Sequence, residues 1–316
     1  MTTQSMSPRA WSAFVAVSVL WGLPYLLIKV VVDDGVSPAF LAWARVLVGG
    51  LVLVGIVSRT GVLSAIRGRG RWLTAFTVFE IALPFPLIGF GEQRVSSSLA
   101  AIVIAAAPLF VAVLALRFDA SERIGGLRLV GLVVGFAGVV ALLGVDVAGS
   151  RTELLGAGAI LAAALCYAIG PMILKRQLAA LEPTTTMAAS LTIGSLVLAP
   201  GALASPPTSM PHPTALLALL GLAVLCTALG LVLYGVLVAE AGPGRALVIT
   251  YVNPVVAVAL GVALLEERPG TGAIAGLLLI LAGSWFSTGG GMPGKRGIRM
   301  SPQPQERKDR SVVSAA

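Results

Sequence analysis

Glu80 stands in the apolar run Thr77-Val78-Phe79-Glu80-Ile81-Ala82. A carboxyl in such surroundings costs at least about 3 kcal/mol to place inside a membrane, so it faces a cavity or a partner. It suits proton uptake and release, or contact with a cationic group of a solute. Arg45 lies at a compatible depth one apolar segment earlier. Its guanidinium is a permanent bidentate donor, able to hold an anionic solute or to pair with Glu80, and pairing is the slightly favoured expectation. Trp21 and Tyr167 fall near the middle of two other apolar segments, whereas Trp and Tyr ordinarily gather at membrane interfaces. With Tyr25 and Tyr234 they are candidate walls of a central cavity, with ordinary helix packing as the competing use. In Thr250-Tyr251-Val252-Asn253-Pro254 the proline lacks a backbone donor and frees a carbonyl one turn earlier. Asn253 offers a donor and an acceptor there, to a solute or to the interrupted backbone, and Tyr251 joins the candidate set.

These side chains need a scaffold that holds them in an apolar phase. Of the 316 residues 57% are hydrophobic and 11% charged, against roughly a quarter charged in soluble domains. Lipid is therefore the solvent for much of the chain, and crossing it takes about 20 apolar residues per helix. Ten spans are predicted, over 11–31, 38–57, 72–90, 96–116, 127–145, 154–174, 184–204, 214–238, 244–264 and 270–288. The fold class is an all-α integral membrane protein, with residues 1–10 as a cytoplasmic N-terminus. The first span is too long for the core of a signal peptide and no small-residue cleavage site follows it.

Lys and Arg in the loops set the orientation. With a cytoplasmic N-terminus, the inner side holds Arg9, Arg59, Arg67, Arg69, Arg71, Arg117, Arg123, Arg128, Lys175, Arg176, Arg245 and the six basic residues of the tail. The outer side holds Lys29, Arg94, Arg151 and Arg268. Both termini are thus expected inside, and the net charge of +8 reads as loops facing anionic lipid rather than nucleic acid. The basic tail 289–316, rich in Gly, Pro and Ser, cannot bury a core and is expected to be disordered. Lys29 and Lys175 read as interfacial anchors, Asp33-Asp34 as a solvated pair, and His212 as a surface residue. Cys166 and Cys226 read as buried thiols. Neither a metal nor any other cofactor is expected.

The two halves repeat. Lys29 and Lys175, Pro108 and Pro254, and Trp21 and Tyr167 are each 146 residues apart. Pro38 and Pro183, Glu122 and Glu267, Gly131 and Gly276, and Gly138 and Gly283 are each 145 apart. The repeats are predicted over 11–146 and 154–288. Five helices per repeat make the second enter from the opposite side, and inverted repeats supply the two near-equivalent packings of alternating access. The glycines of helices 5 and 10 predict small-residue packing faces. Pro84 and Pro86 predict a bend in helix 3, and Glu122 and Glu267 sit where they favour the N-terminal dipoles of helices 5 and 10.

The chain resembles the EamA-type members of the drug/metabolite transporter superfamily. The resemblance rests on Leu20-Trp21-Gly22 through Lys29, on Arg45, and on Val95-Ser96-Ser97-Ser98-Leu99-Ala100-Ala101 through Pro108. The turns Ser121-Glu122-Arg123 and Glu266-Glu267-Arg268, each followed by a Gly-rich helix, complete it. It covers roughly residues 11–288. It departs at Gly242-Pro243-Gly244-Arg245-Ala246, where the first half has Ser96 to Ala100. The resemblance implies a ten-helix secondary carrier, of a kind that often exports amino acids, metabolites or toxic compounds. The expected partners are a small-molecule solute and the bilayer of the inner membrane, and a homodimer is left open. A facilitative organic-anion or phosphate exchanger and a non-transport assembly subunit stay as alternatives. An enzyme is disfavoured by the lack of an HExxH motif or a mid-span aspartate pair, and an ATP-driven pump by the lack of a phosphate-binding loop.

Overall fold

The computed structural model describes residues 7–57, 68–118, 126–147, 149–241 and 249–287. Arg59, Arg67, Ser121-Glu122-Arg123, Gly242 to Ala246 and the tail lie outside the described residues.

Ten helical rods follow one another among the described residues, and none of these residues forms a strand. They are α1 (Pro8–Asp33), α2 (Pro38–Val57), α3 (Gly70–Glu92), α4 (Ser97–Ile104 and Ala107–Phe118), α5 (Gly126–Leu142, ending in Leu143–Val147), α6 (Arg151–Leu178), α7 (Pro183–Ala204), α8 (Pro213–Gly221, Leu222–Leu229 and Gly230–Ala241), α9 (Ile249–Leu264) and α10 (Thr271–Ser287). The first eight include stretches of 18 residues or more that are apolar enough to cross a membrane, while α9 and α10 are shorter apolar helices.

Local sequence explains where rods begin. Ser7, Ser96 and Ser150 cap α1, α4 and α6 through Ala10, Leu99 and Glu153 N–H groups. The Glu182 carboxylate takes the Thr184 and Thr185 N–H groups of α7. Pro8, Pro183 and Pro213 occupy first-turn positions where a missing N–H costs nothing. Large apolar side chains point outward on these rods, such as Leu51, Val140, Leu196 and Leu278, as lipid requires.

The halves exchange by a two-fold relation. Rod α1 packs on α9 and α8, and its counterpart α6 packs on α4 and α3. Rods α2 and α7 pair with each other, as do α5 and α10. The α5–α10 seam is as close as helices come. A Cβ on Gly131 would meet the Ser287 backbone at 2.6 Å, and one on Gly276 the Gly138 carbonyl at 3.0 Å. The expected glycine faces therefore pack against each other within one chain.

The expected breaks fall elsewhere. Rod α9 runs unbroken through Pro254, and the interruption is in α4 at Ala105–Ala106, just before Pro108. With its amide nitrogen turned toward acceptors, Asn253 donates to the Ile249 carbonyl (2.9 Å) and to the Ser18 carbonyl of α1 (3.2 Å). This side-chain donor supports the turn around Pro254 and ties two rods. In α3 the strain of Pro84 is relieved upstream by a π turn, Val78–Ala82, closed by Leu83 N–H on the Val78 carbonyl at 3.0 Å. Rod α8 has its own π segment at the repeat-related place, Leu222–Leu229.

Candidate functional site

The polar centre is built on the two π segments. Such turns rotate side chains out of the α-helical register and are frequent at functional sites. Glu80 sits in the first. Gly170 of α6 faces it, and a methyl group there would overlap the Glu80 carboxyl. The absence of a side chain at 170 is thus what gives Glu80 its niche. Glu80 Oε2 has no hydrogen-bond partner among the described residues. The second segment carries Cys226 and Thr227. Thr227 Oγ1 donates to the Leu222 carbonyl five residues back at 2.8 Å and accepts from Arg45 Nε at 2.8 Å.

Arg45 is 7% exposed. Its guanidinium lies over the Phe85 ring, 4.1 Å from the centroid, a cation–π contact. Among the described residues its hydrogen bond is through Nε, which leaves the two terminal nitrogens without a described acceptor. The expected Arg45–Glu80 ion pair does not form among the described contacts. Nε faces α8, and Glu80 faces α6. Depth along a rod put the two at one level, but rotation about the rods turns them to different neighbours.

Tyr167 stands within electrostatic reach of both Arg45 and Glu80, and Tyr25 within reach of Arg45 and Tyr167. Both tyrosines and Glu80 are half-buried among the packed helices. Trp21 closes one side. Its Nε1 donates to the Cys226 carbonyl at 3.1 Å, and its ring lies 4.9 Å from that of Tyr234. Gly230 admits it, since a Cβ there would meet Trp21 Nε1 at 2.6 Å. The structure brings Trp21, Tyr25, Arg45, Glu80, Tyr167 and Tyr234 into one region. Tyr251 instead meets Trp285 of α10, with centroids 5.8 Å apart. Asn253 belongs to the α1–α9 seam.

Sequence reasoning missed three groups. Thr227 and Phe85 carry no sequence signal beyond their place in apolar rods. Glu92 was left outside helix 3 by ending that span at residue 90. The helix runs two residues further and buries Glu92 completely.

The end assigned to the outside by charge bias is closed by side chains. Lys29 donates to the Glu92 carbonyl at 2.8 Å and pairs with Asp33 at 3.0 Å; it is a clamp rather than a free anchor. Asp34 accepts from His212 N–H at 2.9 Å and meets the His212 ring. These hydrogen bonds hold the Asp34 carboxyl below its ordinary value. Glu267 does not cap α10. Rod α9 ends in a wide turn, with Glu267 N–H on the Gly261 carbonyl (3.1 Å) and Glu266 at φ 53°. That turn swings the Glu267 carboxylate onto the N-terminus of α4, where it accepts from Ser97 N–H (2.7 Å), Ser98 N–H (2.9 Å) and the Ser98 hydroxyl. Asp146 takes the α10 N-terminus through Ala273 N–H.

A polytopic bundle of paired halves, with an aromatic-walled polar centre between them, is the build of a membrane transporter. The chain belongs to the EamA-like transporter family, whose model matches residues 9–144 and again 154–289. It is a multi-pass inner membrane protein. An Escherichia coli K12 protein named "Probable amino-acid metabolite efflux pump" is 27% identical over 296 residues, covering 90% of this chain and 96% of that one. The inner membrane transporter YedA of the same strain is 27% identical over 263 residues, covering 80% and 82%. A solved crystal structure with 20% identity superposes at a TM-score of 0.62 over 88% of this chain and 96% of its own, a likeness of fold.

Proposed function

We propose that the protein is a secondary exporter of small zwitterionic solutes of the amino-acid class, working by alternating access with Glu80 as a proton-coupling group. All ten rods cross the membrane in this reading, with both termini cytoplasmic. The carrying observation is the pair of polar groups, Arg45 and Glu80, that both stand within electrostatic reach of Tyr167. Arg45 offers two guanidinium nitrogens that have no acceptor among the described residues and suit a carboxylate, and Glu80 offers an oxygen that has no partner among them, for an ammonium group or a proton. Trp21, Tyr25 and Tyr234 give an apolar side chain flat surfaces to lie on. The E. coli relative's name supports the amino-acid class. An organic-anion exchanger would need further cations beside Arg45, and Glu80 would repel its substrate.

The test is solute profiling, inside and outside cells that overproduce the wild-type protein, Arg45→Gln or Glu80→Gln at equal level. Amino-acid-class solutes should move outward with the wild type. Arg45→Gln should lower that export at least about tenfold, the loss of a charge-assisted bidentate contact. Glu80→Gln should leave only export that ignores the pH gradient. Equal export by wild type and both variants would remove this site from the mechanism.

A further inference from the structure

Glu92 closes α3 at the outer end. Its side chain is 0% exposed, and neither carboxyl oxygen has a hydrogen-bond partner among the described residues. The charged and titratable groups around it are Lys29, Asp33 and Tyr25 of α1, Arg45 of α2 and Glu267 of the α9–α10 turn. Lys29 does not reach the carboxyl oxygens, because its ammonium is engaged by the Glu92 carbonyl and Asp33. Arg45 makes no hydrogen bond to either carboxyl oxygen; its Nε donates to Thr227. Asp33 and Glu267 carry like charge. Rod α6 meets this end of α3 with Ile160 and Gly156, tight against Gly91. An ionised carboxyl buried without a hydrogen-bond donor is costly, and a bound proton removes that cost.

We propose that Glu92 is a proton-binding site, and that its protonation is the condition for closing the outer end of the carrier. This goes beyond the Glu80 assignment but rests on the reading of the protein as an alternating-access carrier. When the closure parts, water reaches Glu92, the proton leaves, and Lys29 is at hand as counter-ion. When a proton from the outer side binds, Gly91 can again pack on α6 with the neutral carboxyl beneath it. Glu80 lies twelve residues away on the same rod, about 18 Å by helix rise, so the two carboxyls are separate stations.

Infrared pH-difference spectra of the purified full-length protein in lipid test the first half. The expected spectrum has a buried protonated-carboxyl stretch that is lost in Glu92→Gln, kept in Glu80→Gln and displaced in Glu92→Asp, which retains the titrating group. A spectrum unchanged by Glu92→Gln overturns the proposal. The gating half uses Ser97→Cys, under the Glu267 contact, with Cys166 and Cys226 replaced by Ala. A membrane-impermeant maleimide is applied from the outer face of vesicles. The ratio of labelling rates between protein with Glu92 and protein carrying Glu92→Gln cancels the thiol's own pH response. That ratio should rise more than about fivefold from pH 5 to pH 9 as the outward-open population grows, and a flat ratio overturns the proposal. Neither readout needs a transported solute, so failure of the Glu80 assignment shows separately in the export profile.

Discussion

Arg45 and Glu80 show how two charges persist in an apolar bundle without pairing. Arg45 satisfies one donor on Thr227 and spreads its charge over Phe85. Glu80 has no such partner, and its niche exists because residue 170 is glycine. Gly170→Ala is then a test at a distance from any solute contact. Its methyl group must displace the carboxyl, since the alternative is movement of α6. The expected outcome is protein that inserts and purifies normally, with export lowered toward the Glu80→Gln level and its pH response lost. Normal pH-dependent export by Gly170→Ala would mean that the position of the carboxyl is immaterial.

At the scale of elements, the two π segments and the glycine seam do different work. The π turns at Val78–Ala82 and Leu222–Leu229 occupy corresponding places in the two halves. Each presents polar groups to the centre that an unbroken α-helix would turn elsewhere. The α5–α10 seam is built on glycines instead. A Cβ on Gly138 would meet the Gly276 carbonyl at 2.9 Å, so a large residue there separates the rods. Gly138→Leu should lower the thermal unfolding midpoint in detergent and cost about 1–3 kcal/mol of stability, the usual price of overpacking. An unchanged midpoint would show that the seam is not tightly held in solution.

For the whole molecule, the halves meet at the end that the charge bias assigns to the outside. Glu267, carried on the turn after α9, holds the N-terminus of α4. Burial alone would raise its carboxyl, but hydrogen bonds from Ser98 and Ser97 outweigh that and hold it below its ordinary value. The folded-state value is the lower one. The contact is therefore at full strength above the ordinary carboxylate range and is lost as pH falls through the lowered value. Across pH 5 to 9 it does not titrate, which separates it from the behaviour proposed for Glu92. Glu267→Gln should speed outer labelling of Ser97→Cys throughout that range, with no new pH dependence. Labelling that stays at the wild-type rate would show that the contact caps a helix without restraining the closure.

Legible along the chain were an all-helical membrane protein, its repeat in two halves, and the presence of Arg45 and Glu80 inside apolar runs. Each of these follows from quantities read along the chain: the length of an apolar run, a constant spacing, a residue type too costly to leave in lipid. Which way the side chains point is settled by packing. In α7, Leu191 is 1% exposed and Leu196 is 71% exposed, yet both are leucines in one apolar run. Lipid and a helix neighbour are equally apolar, so the sequence carries no polar stripe to orient a rod. That is why Arg45 and Glu80 were expected to pair and instead face α8 and α6. It is also why Glu267 was assigned to the helix that follows it, and why the burial of Glu92 emerged only once α1, α3 and α6 were packed together.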